Sequence, residues 1–287
     1  MKLKGSALFN KLWLLIAWQL DALLWKQRVK RLLSDNRSIP GMAIGVTTFM
    51  DRFEPCFKPL LKRLVSLFPG NRILVLINGH YRGEEHKAYF DRAKDFCEQF
   101  PNVKVISYMN PVGLSSLWNR AVGESVEERI ILLNDDLKIR SDFLSFLAWS
   151  GILNSQIATI NNSWSHFIIS KGIVNAVGYF DEGLIEIGGE DDDYLARMAM
   201  KGVHPENYNT SSLRKSSLKR RGIPAINSYG RIQADQEGGY STINTRYLRS
   251  KWETSNDSFE GAVEVRGRKI RYWKLRTGVA AGGISKD

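Results

Sequence analysis

Apolar and polar residues alternate along the middle of this chain in two rhythms that take turns. Short, almost wholly apolar runs, Met42–Thr48, Arg72–Ile77, Val103–Ser107 and Arg129–Leu133, have the length and β-branched content of buried strands. Between them lie stretches with helical periodicity: Pro59–Phe68, Glu84–Phe100 and Gly113–Val122. Further on, Asp142–Trp149 reads as a helix, Gln156–Asn161 and His166–Ser170 as short strands, and Lys171–Val177 as a short helix. Thr242–Trp252 reads as a late helix. Strand and helix in alternation predict an α/β fold with a mostly parallel sheet and helices on both faces. No internal repeat or long low-complexity tract interrupts the pattern.

Two polar interruptions stand out against it. Arg129–Leu133 stops abruptly at Asn134-Asp135-Asp136, placing carboxylates at the end of a buried strand. Such ends on one edge of an open α/β sheet are where ligands bind. Carboxylates there suit Mg²⁺ or Mn²⁺ held jointly with substrate phosphates, and a solvated Asn-Asp-Asp turn is the plain alternative. The second interruption is Gly188-Gly189-Glu190-Asp191-Asp192-Asp193, followed by the apolar Leu195, Met198 and Met200. Four adjacent acids fit the first turn of a helix, where the macrodipole favours negative charge. Asp193 and Arg197 are spaced to pair along one face.

Composition changes the picture mainly at the ends. The formal net charge is +11 over 287 residues. Residues 1–37 hold eight Lys/Arg against two Asp, and residues 213–287 hold sixteen against seven Asp/Glu, so the middle is mildly acidic. In 7–25 the uncharged run Leu12–Leu20 is too short for a spanning helix, which needs about 20 apolar residues. It also lacks a small-residue cleavage site. Trp13, Trp18 and Trp25 beside Lys11, Lys26, Arg28, Lys30 and Arg31 suit a helix lying on an anionic membrane surface. Packing on protein is the alternative. These segment types favour a membrane over nucleic acid as the partner of the basic ends. Cys56 and Cys97 show no metal spacing and fit a reducing, cytosolic setting.

The order of these pieces resembles the inverting glycosyltransferases of GT-A fold, especially family 2. The resemblance is carried by strand 42–48, strand 72–77 with Asn78, Gly113–Asn119, Asn134-Asp135-Asp136, Gly178–Glu182, and Gly188–Asp193 followed by Arg197. The acid run is also similar to a motif of the β-1,4-galactosyltransferases. The resemblance covers roughly residues 41–205.

It implies roles position by position. Thr47, Thr48 and Phe49 would line a nucleotide pocket. Asn78 stands where an acid usually meets the base or ribose, and Asn119 would lie under the nucleotide. Asn134-Asp135-Asp136 matches an Asp-x-Asp motif whose first acid is Asn. Asp136 would then hold Mn²⁺ or Mg²⁺, and Asp135 would face the ribose or sugar. Asp191 would be the catalytic base, with Glu190 beside it on a substrate sugar, and His204 a candidate third metal ligand. The implied reaction is sugar transfer from a UDP-sugar to a hydroxyl of a glycan or lipid-linked glycan.

The expected organisation is a membrane-associating segment 1–38, a catalytic unit 39–212 and a basic extension 213–287, peripheral at the cytoplasmic membrane face. Trp164-Ser165-His166 either borders the acceptor or is a packed turn, and Trp118 belongs to the core. Lys219-Arg220-Arg221 and Gly238-Gly239-Tyr240 suggest a loop closing over the diphosphate, and Lys251-Trp252 resembles a late Lys-Trp feature of bacterial relatives. Two rivals remain. A nucleotidyltransferase would carry a glycine-rich phosphate loop after the first strand, where Thr47–Arg52 has no glycine. A non-catalytic binding protein that kept the fold is favoured only by the Asn at 134.

Overall fold

The computed structural model describes residues 38–80, 83–185, 188–216, 234–235, 240–253, 259–265 and 268–275. The membrane-associating segment, Lys219-Arg220-Arg221 and Gly238-Gly239 lie outside the described residues. Among those described, no helix is long and apolar enough to cross a membrane.

A mixed α/β body is built on a seven-stranded sheet. Its strands are β1 (Met42–Thr48), β2 (Ile73–Ile77), β3 (Val103–Ser107), β4 (Arg129–Asn134), β6 (Ile157–Ile160), β7 (Ser163–Ser170) and β8 (Glu206–Tyr208); β5 (Leu137–Ile139) lies outside it. The order is β3-β2-β1-β4-β7-β6-β8. Every neighbouring pair is parallel except those made by β7, which runs against both β4 and β6. The mostly parallel sheet expected from the alternation is therefore present. All seven residues of β1 and all five of β2 are buried, as strands covered on both faces must be.

Side-chain alternation sorts the strands into two cores. Ile44, Val46, Val75, Ile131 and Ile168 face one layer, which includes helix α1 (Lys58–Leu67) and helix α2 (Gly83–Glu98). Ala43, Leu74, Leu132, Phe167 and Ile169 face the other, with α3 (Leu114–Glu124) and α5 (Lys171–Val177). Helix α4 (Phe143–Trp149) joins the first layer, and α6 (Glu190–Met200) joins the second through Tyr194 and Met198. Trp118 lies in that second core, with ring centroids 5.1 Å from Phe167 and 4.9 Å from Phe180.

The unit boundary expected after residue 212 is crossed twice. Strand β9 (Leu213–Lys215) pairs with β5, and Leu213 is buried in the first core. Helix α7 (Thr242–Lys251) ends in Lys251 and Trp252, both essentially fully buried. Three short strands, β5, β8 and β9, escape the sequence pattern because three residues are too few to show a period. Strand β7 starts earlier than expected, at Ser163, because Asn161 and Asn162 both take left-handed conformations (φ 53° and 55°) and close a two-residue hairpin.

Chain order reverses between β1 and β4, so their carboxyl ends flank the topological switch point of the sheet. Beside it, Gly79 passes so close to the next loop that a Cβ would sit 2.1 Å from the carbonyl carbon of Asn110. Gly79→Ala should therefore force two backbones apart and cost about 1–3 kcal/mol. A urea midpoint equal to that of the unsubstituted protein would contradict this packing.

Candidate active site

The switch point carries Thr47 and Thr48 from β1 and Asn134, Asp135 and Asp136 from β4. After β1 the chain makes a tight 3₁₀ turn (Met50–Arg52) and a π turn (Phe53–Phe57) before α1. That path brings Arg52 back under the end of β4. The Arg52 guanidinium donates to Asp135 Oδ1 at 2.7 Å, and the Thr48 hydroxyl donates to Oδ2 at 2.8 Å. Burial pushes the Asp135 carboxyl up to about 6, even against Arg52 and Thr48. Both oxygens of Asp135 accept from protein side chains. The carboxylate anchors the strand end.

Asp136 differs. Only 8% exposed, its Oδ1 is buried and has no hydrogen-bond partner among the described residues. An orphaned carboxylate oxygen costs free energy unless something positive meets it. That oxygen suits a hard divalent cation. Among the described residues no group of three or more His, Cys, Asp and Glu could hold a metal. Mg²⁺ or Mn²⁺ here would take one protein carboxylate and complete its shell with phosphate oxygens and water, a common arrangement for such ions.

His204 does not join Asp136. Glu206 pairs with Ala158, Ala158 with Ile168, and Ile168 with Ile131. His204 precedes β8 and so lies past its amino end, whereas Asp136 lies past the carboxyl end of β4. The two strands run the same way, which puts the residues at opposite ends of the sheet. Eleven residues of α6 carry the chain between them.

The other expected donor contacts also turn inward. Asn78 exchanges two hydrogen bonds of 2.9 Å with the backbone of Val112. The Asn119 amide donates to the Phe180 carbonyl and to Glu182, both at 2.8 Å, and accepts from the Phe180 N–H. The Thr47 hydroxyl reaches Asn134 at 3.4 Å. Phe49 is buried with the Arg52 guanidinium 4.9 Å above its ring. These side chains shape the walls by holding loops, and their polar groups meet protein.

Across the same end of the sheet stands the acid run. Gly188 and Gly189 have φ of 100° and 93°, a region that strains any side chain, and they turn the chain sharply into α6. All four acids occupy the first helical turn. Glu190 accepts from the Gly188 N–H at 2.8 Å, while its Oε1 is buried without a partner among the described residues. Burial, with Asp191 and Asp192 adding repulsion, pushes Glu190 up to about 8. Burial and then Asp192 also raise Asp191 above the usual carboxylate range. The two halves of the site meet at Lys215. It pairs in register with Leu137, next to Asp136, and its charge acts on Asp191.

Asp193 faces away from this cleft into a buried ionic cluster. The Arg197 Nε donates to it at 2.9 Å, the Trp252 indole N–H at 2.9 Å, and Lys251 at 2.6 Å. Lys251 also meets Asp181, which accepts from the Tyr247 hydroxyl at 3.0 Å and the Gly183 N–H at 2.9 Å. Burial alone would raise the Asp181 carboxyl, but Lys251, Gly183 and Tyr247 together hold it below its ordinary value. The expected Asp193–Arg197 pair is present, and Lys251-Trp252 proves to be its second support.

No protein-family model matches the chain. A galactofuranosyl glycosyltransferase of Leishmania donovani is 33% identical over 99 residues, 30% of this chain. The chain spans 22% of that protein's length. Among solved structures, it is similar to mannosyltransferase PcManGT from Pyrobaculum calidifontis, in complex with GDP-Man and Mn²⁺. There the TM-score is 0.45 at 12% identity, covering 67% of this chain and 63% of that one. It is also similar to S. aureus TarS 1–349, with TM-score 0.44 at 14% identity, covering 62% and 61%.

Two outcomes follow from this geometry. Lys251→Met should leave Asp181 and Asp193 buried without their shared cation and destabilise the protein by about 3–5 kcal/mol. A loss under about 1 kcal/mol in urea denaturation would mean that the cluster is not the support described. Glu190 has a folded-state pKa above its unfolded value, so the folded protein holds the extra proton. Stability must then fall as pH rises from about 4.5 to about 8. Glu190→Gln should match the unsubstituted protein near pH 4 and exceed it above pH 8, by on the order of a few kcal/mol. Parallel stability curves would refute the buried-acid assignment.

Proposed function

We propose that the chain is a metal-dependent inverting glycosyltransferase of GT-A type, transferring a sugar from a UDP-sugar to a hydroxyl of a glycan or lipid-linked glycan. The observation that carries this reading is the pairing of two unlike acid sites at one end of the sheet. One is Asp136, with a buried oxygen that no described protein group meets. The other is the Glu190–Asp191 step at the mouth of α6, where both carboxyls are raised. The name of the galactofuranosyl glycosyltransferase, 33% identical over 99 residues, agrees with this reading.

The residues divide the work. At neutral pH Glu190, with its pKa near 8, is mostly a neutral acid and can donate a hydrogen bond to a sugar oxygen. Its neutrality spares Asp191 a like charge, so Asp191 remains the carboxylate that takes the proton. A raised pKa makes it a better base, and a positioned base contributes about 10²–10⁴-fold. The acceptor oxygen forms a bond to the anomeric carbon as the bond from that carbon to the diphosphate breaks. Its proton passes to Asp191, and the nucleoside diphosphate leaves. One base opposite the leaving group gives a single displacement with inversion. A divalent cation on Asp136, when bound, stabilises the charge developing on the departing diphosphate. Residues 7–25 would hold the enzyme at the cytoplasmic face of a membrane, where lipid-linked acceptors lie.

The test is nucleoside diphosphate release over a panel of UDP- and GDP-sugars with Mn²⁺, with Mg²⁺ and with EDTA. Asp191→Asn should lower transfer at least 100-fold while donor binding survives, and Asp136→Ala should weaken metal-dependent donor binding. Full transfer by the first variant would sink the base assignment; unchanged donor affinity in the second would sink the metal role.

A further inference from the structure

A cleft of about 640 Å³ has in its wall Lys215, whose charge acts on Asp191. Its wall includes Arg140, Asn161, Ser163, His166, Arg214 and Lys215. Three cations and no carboxylate belong to the described lining. The hairpin tip is bound to the far wall: Asn161 accepts from the Thr210 N–H at 2.7 Å and donates to the Leu213 carbonyl at 2.9 Å. The opposite side is closed where the Arg140 N–H meets the Ser212 carbonyl at 2.8 Å. The cleft is thus a built concavity rather than a gap between loops.

Its charge is only partly compensated. Arg214 and Lys215 are exposed and form no salt bridge among the described residues. Arg140 pairs with Asp142 at 3.2 Å on the outer surface. A second, independent observation comes from His166. The residue is 2% exposed, and its Nδ1 meets the Ser165 hydroxyl at 2.8 Å. Its Nε2 is buried with no partner among the described residues. A buried polar atom in the wall of a cationic cleft calls for a polar ligand. Like charges lining a concave, low-dielectric wall concentrate ions of the opposite sign, and a guanidinium matches the oxygens of phosphate or carboxylate.

Placement says which substrate is concerned. The cleft lies beyond β4 from β1 and β2, on the side of β7 and β9. Lys215 is common to its wall and to the surroundings of Asp191. We propose that this cleft seats an acceptor bearing an oxyanion, phosphate or carboxylate, held by Arg214 and Lys215 with its reacting hydroxyl turned toward Asp191. The inference rests on the glycosyl-transfer reading and adds to it that the acceptor is anionic.

The test titrates the full chain with inorganic phosphate, methyl glucuronide and methyl glucoside, following the His166 imidazole by NMR, with Asp191→Asn and the surface double variant Arg214→Ser/Lys215→Gln in parallel. Phosphate or methyl glucuronide should perturb His166 and bind at least ten-fold more weakly to the double variant. The stronger of the two tells a phosphate-bearing acceptor from a carboxylate-bearing one. Asp191→Asn should keep the binding, and UDP should not displace the anion. Equal response to methyl glucoside, unchanged affinity in the double variant, or displacement by UDP would overturn the proposal. Donor turnover with unchanged anion binding in the double variant removes the cleft assignment alone. Anion binding without nucleoside diphosphate release from any donor removes the transfer reading beneath it.

Discussion

The Asp193 carboxylate holds the far edge of the candidate site together. It receives an arginine from its own helix, a lysine from the end of the late helix α7, and the indole of the next residue, Trp252. Lys251 then passes the connection to Asp181, in the loop that Asn119 pins through Phe180. Helix α6, the loop before it and the late segment therefore move as one piece. Such a buried cluster adds little net stability over an apolar one of equal volume. What it does here is orient the helix, so that its first turn presents Glu190 and Asp191 rather than Asp193 to the cleft.

The two ends of the site follow one design. At β4, Asp135 is clamped by Arg52 and Thr48 so that its neighbour Asp136 stays free of protein donors. At α6, Asp193 is clamped by side chains, while Glu190 and Asp191 accept only from backbone N–H groups of their own turn. In each case adjacent acids are split into one that supports and one or two that face the cleft. Backbone geometry enforces the split: successive residues at a strand end or in a helical turn point in different directions.

Much of this was legible in the chain. Long buried strands such as Met42–Thr48 announce themselves because both faces are covered and the run is apolar or small up to its two closing threonines. The acids at the end of β4 and the start of α6 were visible because carboxylates rarely interrupt such patterns. What stayed hidden depends on partners distant in sequence. Nothing near Asn78 or Asn119 says that their amides meet Val112 and Phe180. Nothing near Asp135 says that Arg52, 83 residues earlier, faces it. In the sequence Arg52 is only a cation between Asp51 and Glu54 in the stretch after β1. His204 is a candidate ligand only through the resemblance, with a surface histidine at a strand end as its alternative, and the eleven residues of α6 precede it on the way to the other end of the sheet.

The late position of Lys251 and Trp252 sets an order of events during synthesis. A chain emerges from the ribosome at roughly 5–20 residues per second, and its early segments fold first. The sheet, through β8, is complete by Tyr208, yet Asp181 meets its cation, Lys251, only 70 residues downstream of itself. Until Lys251 arrives, the Asp181 carboxylate, buried in the finished fold, favours water. The nascent chain thus has its scaffold before the late segment reaches the acid helix, and a chain that ends ahead of residue 251 would lack the Lys251 and Trp252 contacts to Asp193.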